Sequence, residues 1–148
     1  MLTVIQRVKS AQVAVNQEII GQIGEGILAL VAVEPEDQEK TAVRLLERIL
    51  NYRIFADNND RMNLSLLDIN GGLLLVPQFT LAADTDTGNR PSFTTAAKPE
   101  VGLQLFSYMQ DIALAKLPNV QFGQFGADMQ VSLVNNGPVT FLLRVREK

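Results

Sequence analysis

The chain has 148 residues, a formal net charge of −3, and neither histidine nor cysteine. That composition excludes a Ser-His-Asp relay, a thiolate nucleophile, a disulfide, and any metal site built on imidazole or sulfur. Arg44, Arg48 and Arg53 are interleaved with acidic residues, which argues against the broad basic face that coats duplex nucleic acid but leaves room for a small pocket gripping a nucleic acid's end.

The length fits a single domain over residues 1–148, with ~70% of the unfolded chain's surface buried. The first residues, Met1 to Arg7, lack the basic run and long apolar core of a signal peptide. No apolar run approaches the ~20 residues of a membrane helix. Cysteine-free composition fits a cytoplasmic protein.

Thr3 to Lys9 and Ala11 to Val15 read as strands, the second alternating with period two. Asn16-Gln17-Glu18 turns the chain into a strand at Ile19 to Ile23. Gly24-Glu25-Gly26 turns it again, into a buried strand at Ile27 to Val33. A helix is expected from Pro35-Glu36-Asp37, with Ala42, Leu45, Leu46, Ile49 and Leu50 on its apolar face. Tyr52 to Ala56 reads as a strand, 57–60 as a turn, and Leu73 to Val76 as a buried strand running into Gln78-Phe79-Thr80. Residues 82–98 form a long polar loop, a length often functional. A second helix starts at Pro99, with Val101, Leu105, Tyr108, Met109 and Ile112 as its stripe. Strands at Val120 to Phe125, Met129 to Val134 and Val139 to Val145 close the chain. The order predicts a strand-rich α/β fold of mixed or antiparallel sheet layers, covered on one side by two helices.

Two segments carry candidate chemistry. Asn136-Gly137 between strands signals a hairpin, but Pro138 follows. Proline has no N–H to close a two-residue turn, and it pushes the preceding residue toward extended geometry. A tight corner with outward carbonyls is expected instead. Gln78-Phe79-Thr80 alone reads first as a plain strand end with Phe79 buried and Thr80 satisfied; the functional alternative is a strand ending at a pocket, whose successive N–H groups can hold a developing oxyanion. With no base near it in sequence, Thr80 makes a poor nucleophile at neutral pH. Asp84 and Asp86 read as solvated loop carboxylates. Arg7, among apolar residues of the first strand, must snorkel outward or donate to carbonyls.

At Pro77-Gln78-Phe79-Thr80-Leu81 and Asn135-Asn136-Gly137-Pro138-Val139-Thr140 the chain resembles the D-aminoacyl-tRNA deacylase family, nearly end to end. Ile5-Gln6-Arg7-Val8, Arg90-Pro91-Ser92-Phe93 and Phe125-Gly126-Ala127-Asp128-Met129 extend the likeness. It departs at Pro77, where the family has serine. The resemblance implies hydrolysis of the ester joining a D-amino acid, or glycine, to the 3′ adenosine of tRNA. It implies a homodimer in which Gly137-Pro138, in cis, enters the partner's pocket and turns its carbonyls toward the α-carbon, so that an L side chain is refused. Arg7 would hold those carbonyls. Backbone N–H groups at Phe79 and Thr80, with Gln78 beside them, would form the oxyanion hole, and Phe79, Phe125 and Met129 would lie near the adenosine or in the pocket wall. No cofactor, metal or membrane is implied. Water would be positioned by the ribose 2′-hydroxyl, with attack by Thr80 as the alternative. An esterase on another activated acyl ester and a non-catalytic RNA-end module are the rival readings.

Overall fold

The computed structural model describes residues 1–146; the last two residues of the expected 1–148 domain lie outside the described residues. Strand β1 (Leu2–Val15) pairs antiparallel with β2 (Glu18–Ile23) and with β3 (Gly26–Ala32). Helix α1 (Glu39–Asn51) follows, then a small hairpin of β4 (Phe55–Ala56) and β5 (Met62–Leu64), and the one-turn helix α2 (Leu66–Ile69). Strand β6 (Gly72–Pro77) runs parallel to β3 and leads into a 3-10 turn at Phe79–Ala82. Helix α3 (Pro99–Lys116), β7 (Val120–Phe122), parallel to β6, and β8 (Met129–Arg144) complete the fold. The large sheet runs β2-β1-β3-β6-β7, with β8 paired to β1.

The mixed α/β class and the two covering helices match expectation. Leu45, Leu46, Ile49 and Leu50 of α1 are buried with Leu105, Phe106 and Met109 of α3 against Ile5, Ile27, Leu73 and Leu75 of the sheet. On the sheet's other side Val8, Val13, Ile23, Leu28, Leu74 and Val76 form a second core, closed by Val131 and Leu133 of β8. The α3 stripe is rotated from the expected one: Gly102, Phe106 and Ala113 are buried, whereas Val101, Tyr108 and Ile112 are half-buried.

Several boundaries differ. The two expected N-terminal strands are one, because β8 pairs along almost the whole of β1. The first helix starts at Glu39, not at Pro35: the Asp37 carboxylate accepts the Glu34 N–H at 2.7 Å and ties 34–37 into a turn. The strand expected at Tyr52 to Ala56 shrinks to Phe55–Ala56, since Tyr52 caps α1. Helix α2 was not expected. Ser65 Oγ accepts the Asp68 N–H and Asp68 accepts the Ser65 N–H, a reciprocal box, and left-handed Asn70 ends the turn. The strand from Val120 stops at Phe122, and the two final strands are the single strand β8.

The Met1 ammonium is buried and donates to Glu34 Oε1 at 3.1 Å, Asp37 Oδ1 at 2.7 Å and the Val145 carbonyl at 2.9 Å. Burial would raise the Glu34 carboxyl, but hydrogen bonds from the ammonium and Arg146, with the nearby charges of the ammonium and Arg144, bring it below the usual carboxylate range. A carboxyl depressed in the folded state contributes stability above its unfolded pKa and loses it as pH falls through the folded one. Glu34→Gln should therefore cost about 1.5–3 kcal/mol at neutral pH and make stability fall less on acidification. Urea unfolding at about pH 7 and about pH 4 measures both; parallel losses in the two proteins would count against the assignment.

Gly26 faces Gly72 across the parallel β3–β6 pair, and a Cβ at Gly26 would lie 1.9 Å from the Gly72 carbonyl oxygen. At Gly24 nothing lies within 4 Å of such a Cβ. Gly26→Ala should cost at least ~2 kcal/mol by overpacking, while Gly24→Ala should change stability by less than ~1 kcal/mol. Equal urea midpoints for the two variants would refute this close approach.

Candidate active site

Strand β6 is buried along its length and ends at Pro77, which has no N–H to give a ladder and is tolerated where pairing stops. The Gln78 N–H makes the next bond, to the Val31 carbonyl at 2.7 Å. The chain then bends at Gln78 (φ −144, ψ 77) into the 3-10 turn, so the expected plain strand end is a turn instead. The first bond of that turn runs from the Leu81 N–H to the Gln78 carbonyl. The N–H groups of Phe79 and Thr80 precede it and have no acceptor within the turn.

Beside this turn lies a cavity of about 640 Å³. Its back wall is Val31, Ala32 and Val33 at the end of β3; Pro77, Gln78 and Phe79 form one side. Phe93, Thr94, residues 96–99, Gly102 and Phe106 of α3, and Phe125-Gly126 complete the lining. The segment before α3 is tied down by Ala97 N–H to the Val33 carbonyl at 3.0 Å and Thr95 Oγ1 to the Ala82 carbonyl at 2.6 Å. Phe79 is 56% exposed and Phe93 44%, an unusual exposure for large aromatics, and their ring centroids stand 5.2 Å apart at the rim. The lining is apolar and aromatic with Lys98 at its edge, a volume and character suited to a small organic group.

The cavity brings together Gln78, Phe79 and Phe125 of the expected site residues. Exposed Thr80 follows on the turn, its Oγ1 accepting from Gln78 Nε2. Met129 packs behind: a Cβ on Gly123 would lie 2.9 Å from the Met129 sulfur and 3.2 Å from Pro77 Cδ.

Arg7, Gly137 and Pro138 are elsewhere and do not line the cavity. In the β1–β8 ladder Gln6 pairs with Thr140 and Val8 with Asn135, so 136–139 bulge opposite Arg7 alone. The Gly137-Pro138 peptide is cis and both residues are exposed. The expected departure from a hairpin is thus a bulge inside one long strand. Arg7 does donate to carbonyls: Nε to Asn136 at 3.0 Å and Nη1 to Ile54 at 2.7 Å. On the bulge it holds the Asn136 carbonyl, which precedes the expected carbonyls of Gly137 and Pro138. The Val139 N–H donates to Asn135 Oδ1 at 3.0 Å and closes the bulge.

Among the described residues three carboxyls are held below their usual range, and none of the three lines the cavity. They are Glu34, Asp57, by backbone N–H groups of Arg61 and Asn59, and Asp68, by the Ser65 N–H. Asp84 accepts the Asp86 N–H in a local turn, as a loop carboxylate does. Among the described residues no three Asp, Glu, His or Cys side chains are grouped to hold a metal, and no helix is long and apolar enough to cross a membrane. Arranged this way, the turn can present two fixed amide dipoles to an acyl oxygen at the edge of an apolar hollow. Sequence reasoning missed Phe93 and Gly102 as wall residues. A glycine inside an amphipathic helix was the signal for the second.

The model of the D-Tyr-tRNA(Tyr) deacylase family matches residues 4–144. A D-aminoacyl-tRNA deacylase of Pseudomonas putida is 57% identical over 145 residues, covering 98% of this chain and 100% of the relative. One of Hahella chejuensis is likewise 57% identical, covering 98% and 99%. Among solved structures, a c-Myc DNA unwinding element binding protein superposes with a TM-score of 0.92 at 35% identity, over 99% of this chain and 100% of that one. A probable eukaryotic D-amino acid tRNA deacylase shares the fold, with a TM-score of 0.81 at 16% identity over 96% and 97% of the two chains. With the match spanning both motif segments and the strands that carry them, the chain belongs to the D-Tyr-tRNA(Tyr) deacylase family of hydrolases.

Proposed function

We propose that the chain hydrolyses the ester between a D-amino acid, or glycine, and the 3′ adenosine of tRNA, as a single-domain cytoplasmic enzyme acting as a homodimer. The observation that carries this reading is the pair of amides at Phe79 and Thr80, which start a 3-10 turn at the mouth of an apolar, aromatic cavity. The cavity takes the terminal adenosine, with Phe79 and Phe125 against it and Met129 behind the wall. The amides of Phe79 and Thr80 stabilise the oxyanion as water attacks the ester carbonyl, and Gln78 orients the Thr80 hydroxyl. The ribose 2′-hydroxyl positions the water, so no imidazole is needed.

Handedness is read by a second copy. The bulge carrying Gly137 and Pro138 is exposed and lies outside its own chain's cavity, which suits insertion into a partner's. Its carbonyls then face the substrate α-carbon and leave space for hydrogen but not for an L side chain. Arg7 fixes the bulge through the Asn136 carbonyl. The decisive experiment compares amino-acid release from D-tyrosyl-tRNA and L-tyrosyl-tRNA. Release from both at equal rates would remove the filter, and tRNA binding without release would favour a non-catalytic module.

Thr80→Ala is expected to keep deacylation within about tenfold of the parent; a loss beyond about a thousandfold, ~4 kcal/mol, would return Thr80 to the role of nucleophile. Gly137 sits at φ 137, where a Cβ would meet Val139 Cγ2 at 2.7 Å and Arg7 Nη2 at 3.0 Å. Gly137→Ala should therefore shift the bulge and lower D-tyrosyl-tRNA turnover, or the D-over-L preference, by at least about tenfold, ~1.4 kcal/mol. Single-turnover kinetics unchanged for both enantiomers would exclude the bulge from the site.

A further inference from the structure

The chain contains two Asn-Gly pairs, Asn70-Gly71 and Asn136-Gly137. Glycine has no side chain to shield its nitrogen. After an asparagine, that nitrogen can reach the side-chain amide carbon and close a succinimide ring, which is one reason asparagine is thermolabile. The fold treats the two pairs differently. Asn70 caps α2 in the left-handed region (φ 52, ψ 39), and the Gly71 N–H is committed to the Leu66 carbonyl at 3.2 Å. Gly71 is buried, and a Cβ there would lie 2.7 Å from Leu66 Cδ1. In the bulge, Asn135 is fixed at both ends of its amide: Oδ1 accepts the Val139 N–H and Nδ2 donates to Thr140 Oγ1, each at 3.0 Å. Asn136 is half-buried, and among the described residues its side chain has no hydrogen-bond partner. Gly137 beside it is exposed.

We propose that Asn136 is a site of covalent self-modification and that Arg7 directs it toward isoaspartate. Arg7 Nε donates to the main-chain carbonyl of Asn136 at 3.0 Å. That carbonyl shares its amide with the Gly137 nitrogen, and a charge-assisted bond to its oxygen makes the attached N–H more acidic. Hydroxide removes the proton, the nitrogen bonds to Asn136 Cγ, and the bond from Cγ to the side-chain nitrogen breaks. The leaving nitrogen takes a proton from water and departs as ammonia. Water then adds to a ring carbonyl carbon and breaks its bond to the Gly137 nitrogen. Attack at Cγ gives ordinary aspartate. Attack at the main-chain carbonyl gives isoaspartate, in which the chain runs through Cβ and Cγ. The Arg7 guanidinium polarises the main-chain carbonyl, and it gains a carboxylate partner when isoaspartate forms. The product adds a carbon to the main chain beside Gly137 and Pro138. The site does not depend on the proposed function; under that function, conversion disables the handedness filter.

The test is ageing of the full chain in dilute solution at mildly alkaline pH, with peptide mapping by mass spectrometry against synthetic aspartyl and isoaspartyl standards. Conversion at Asn136 should run at least about tenfold faster than at Asn70, a barrier difference of ~1.4 kcal/mol. The folded parent should give a higher ratio of isoaspartate to aspartate at 136 than the same chain unfolded in urea. Arg7→Met should slow the conversion and lower the folded ratio to the urea value, with circular dichroism showing that the variant is folded. Where Arg7→Met unfolds, Arg7→Lys, which keeps the charge but loses the planar fork, should still lower the ratio. Asn136→Gln, whose longer side chain disfavours the ring, should stop conversion at this position and at no other. No conversion at Asn136, equal rates at 70 and 136, a folded ratio no higher than that in urea, or a ratio unmoved in a folded Arg7 variant would overturn the inference. Aged chains rich in isoaspartate that keep the full D-over-L preference would remove the filter from the proposed function and leave the modification site standing.

Discussion

The pairing of β1 with β8 is the constraint from which the rest of the molecule is hung. It runs from Leu2 opposite Arg144 to Val15 opposite Met129, and it breaks register around Arg7. There the sheet must absorb 136–139 against one residue. A bulge of that size leaves backbone carbonyls unpaired, and Arg7 answers with a guanidinium bonded to Asn136 and Ile54. A charge on a mostly apolar strand is tolerable only because those acceptors are waiting for it. The same strand pairs on its other edge with β3, opposing Thr3 to Val31 and Leu2 to Ala32, and those β3 residues are the back wall of the cavity. One strand therefore fixes both the hollow and the exposed Gly-Pro bulge, and their separation within a chain is as rigid as the sheet.

Much of this could be read from the residues, and the parts that could not have physical reasons. The apolar faces of α1 and the buried runs of β3 and β6 depend on local periodicity, and they fall where periodicity puts them. Helix α2 depends on the reciprocal bonds of Ser65 and Asp68 before Asn70, a capping signal too short to show as a period. The fusion of two expected strands into β1, and of two into β8, is a long-range effect, since each supplies the partner that keeps the other extended. Pro138 argued correctly against a hairpin because a missing N–H is a local fact. That 136–139 oppose Arg7 is not local, and no spacing announces it. At the site, Gln78 and Phe79 were legible from their motif, and Phe125 reaches them only through tertiary folding. Phe93 and Gly102 were hidden because a loop aromatic and a helix glycine each have commoner explanations.

Under the proposed reading the absence of histidine and cysteine directs the chemistry toward the backbone. Side-chain acids and bases work by having their pKa moved toward neutrality through burial and neighbouring charge. Here Glu34, Asp57 and Asp68 are moved downward and lie outside the cavity, so they serve turns and the buried ammonium rather than proton transfer. Amide N–H groups need no such tuning. They carry no proton that titrates in the working range, and their strength comes from orientation, which β6, the Gln78–Val31 bond and the 3-10 turn supply together. Under the proposed reading the net charge of −3 weighs little against a nucleic-acid substrate, because a lining of Phe79, Phe93 and Phe125 offers stacking and apolar contact rather than phosphate contacts. A site built this way gives up long-range electrostatic attraction. Under the proposed reading it gains a pocket whose selectivity is set by shape, so the distances between walls matter more than the charges on them.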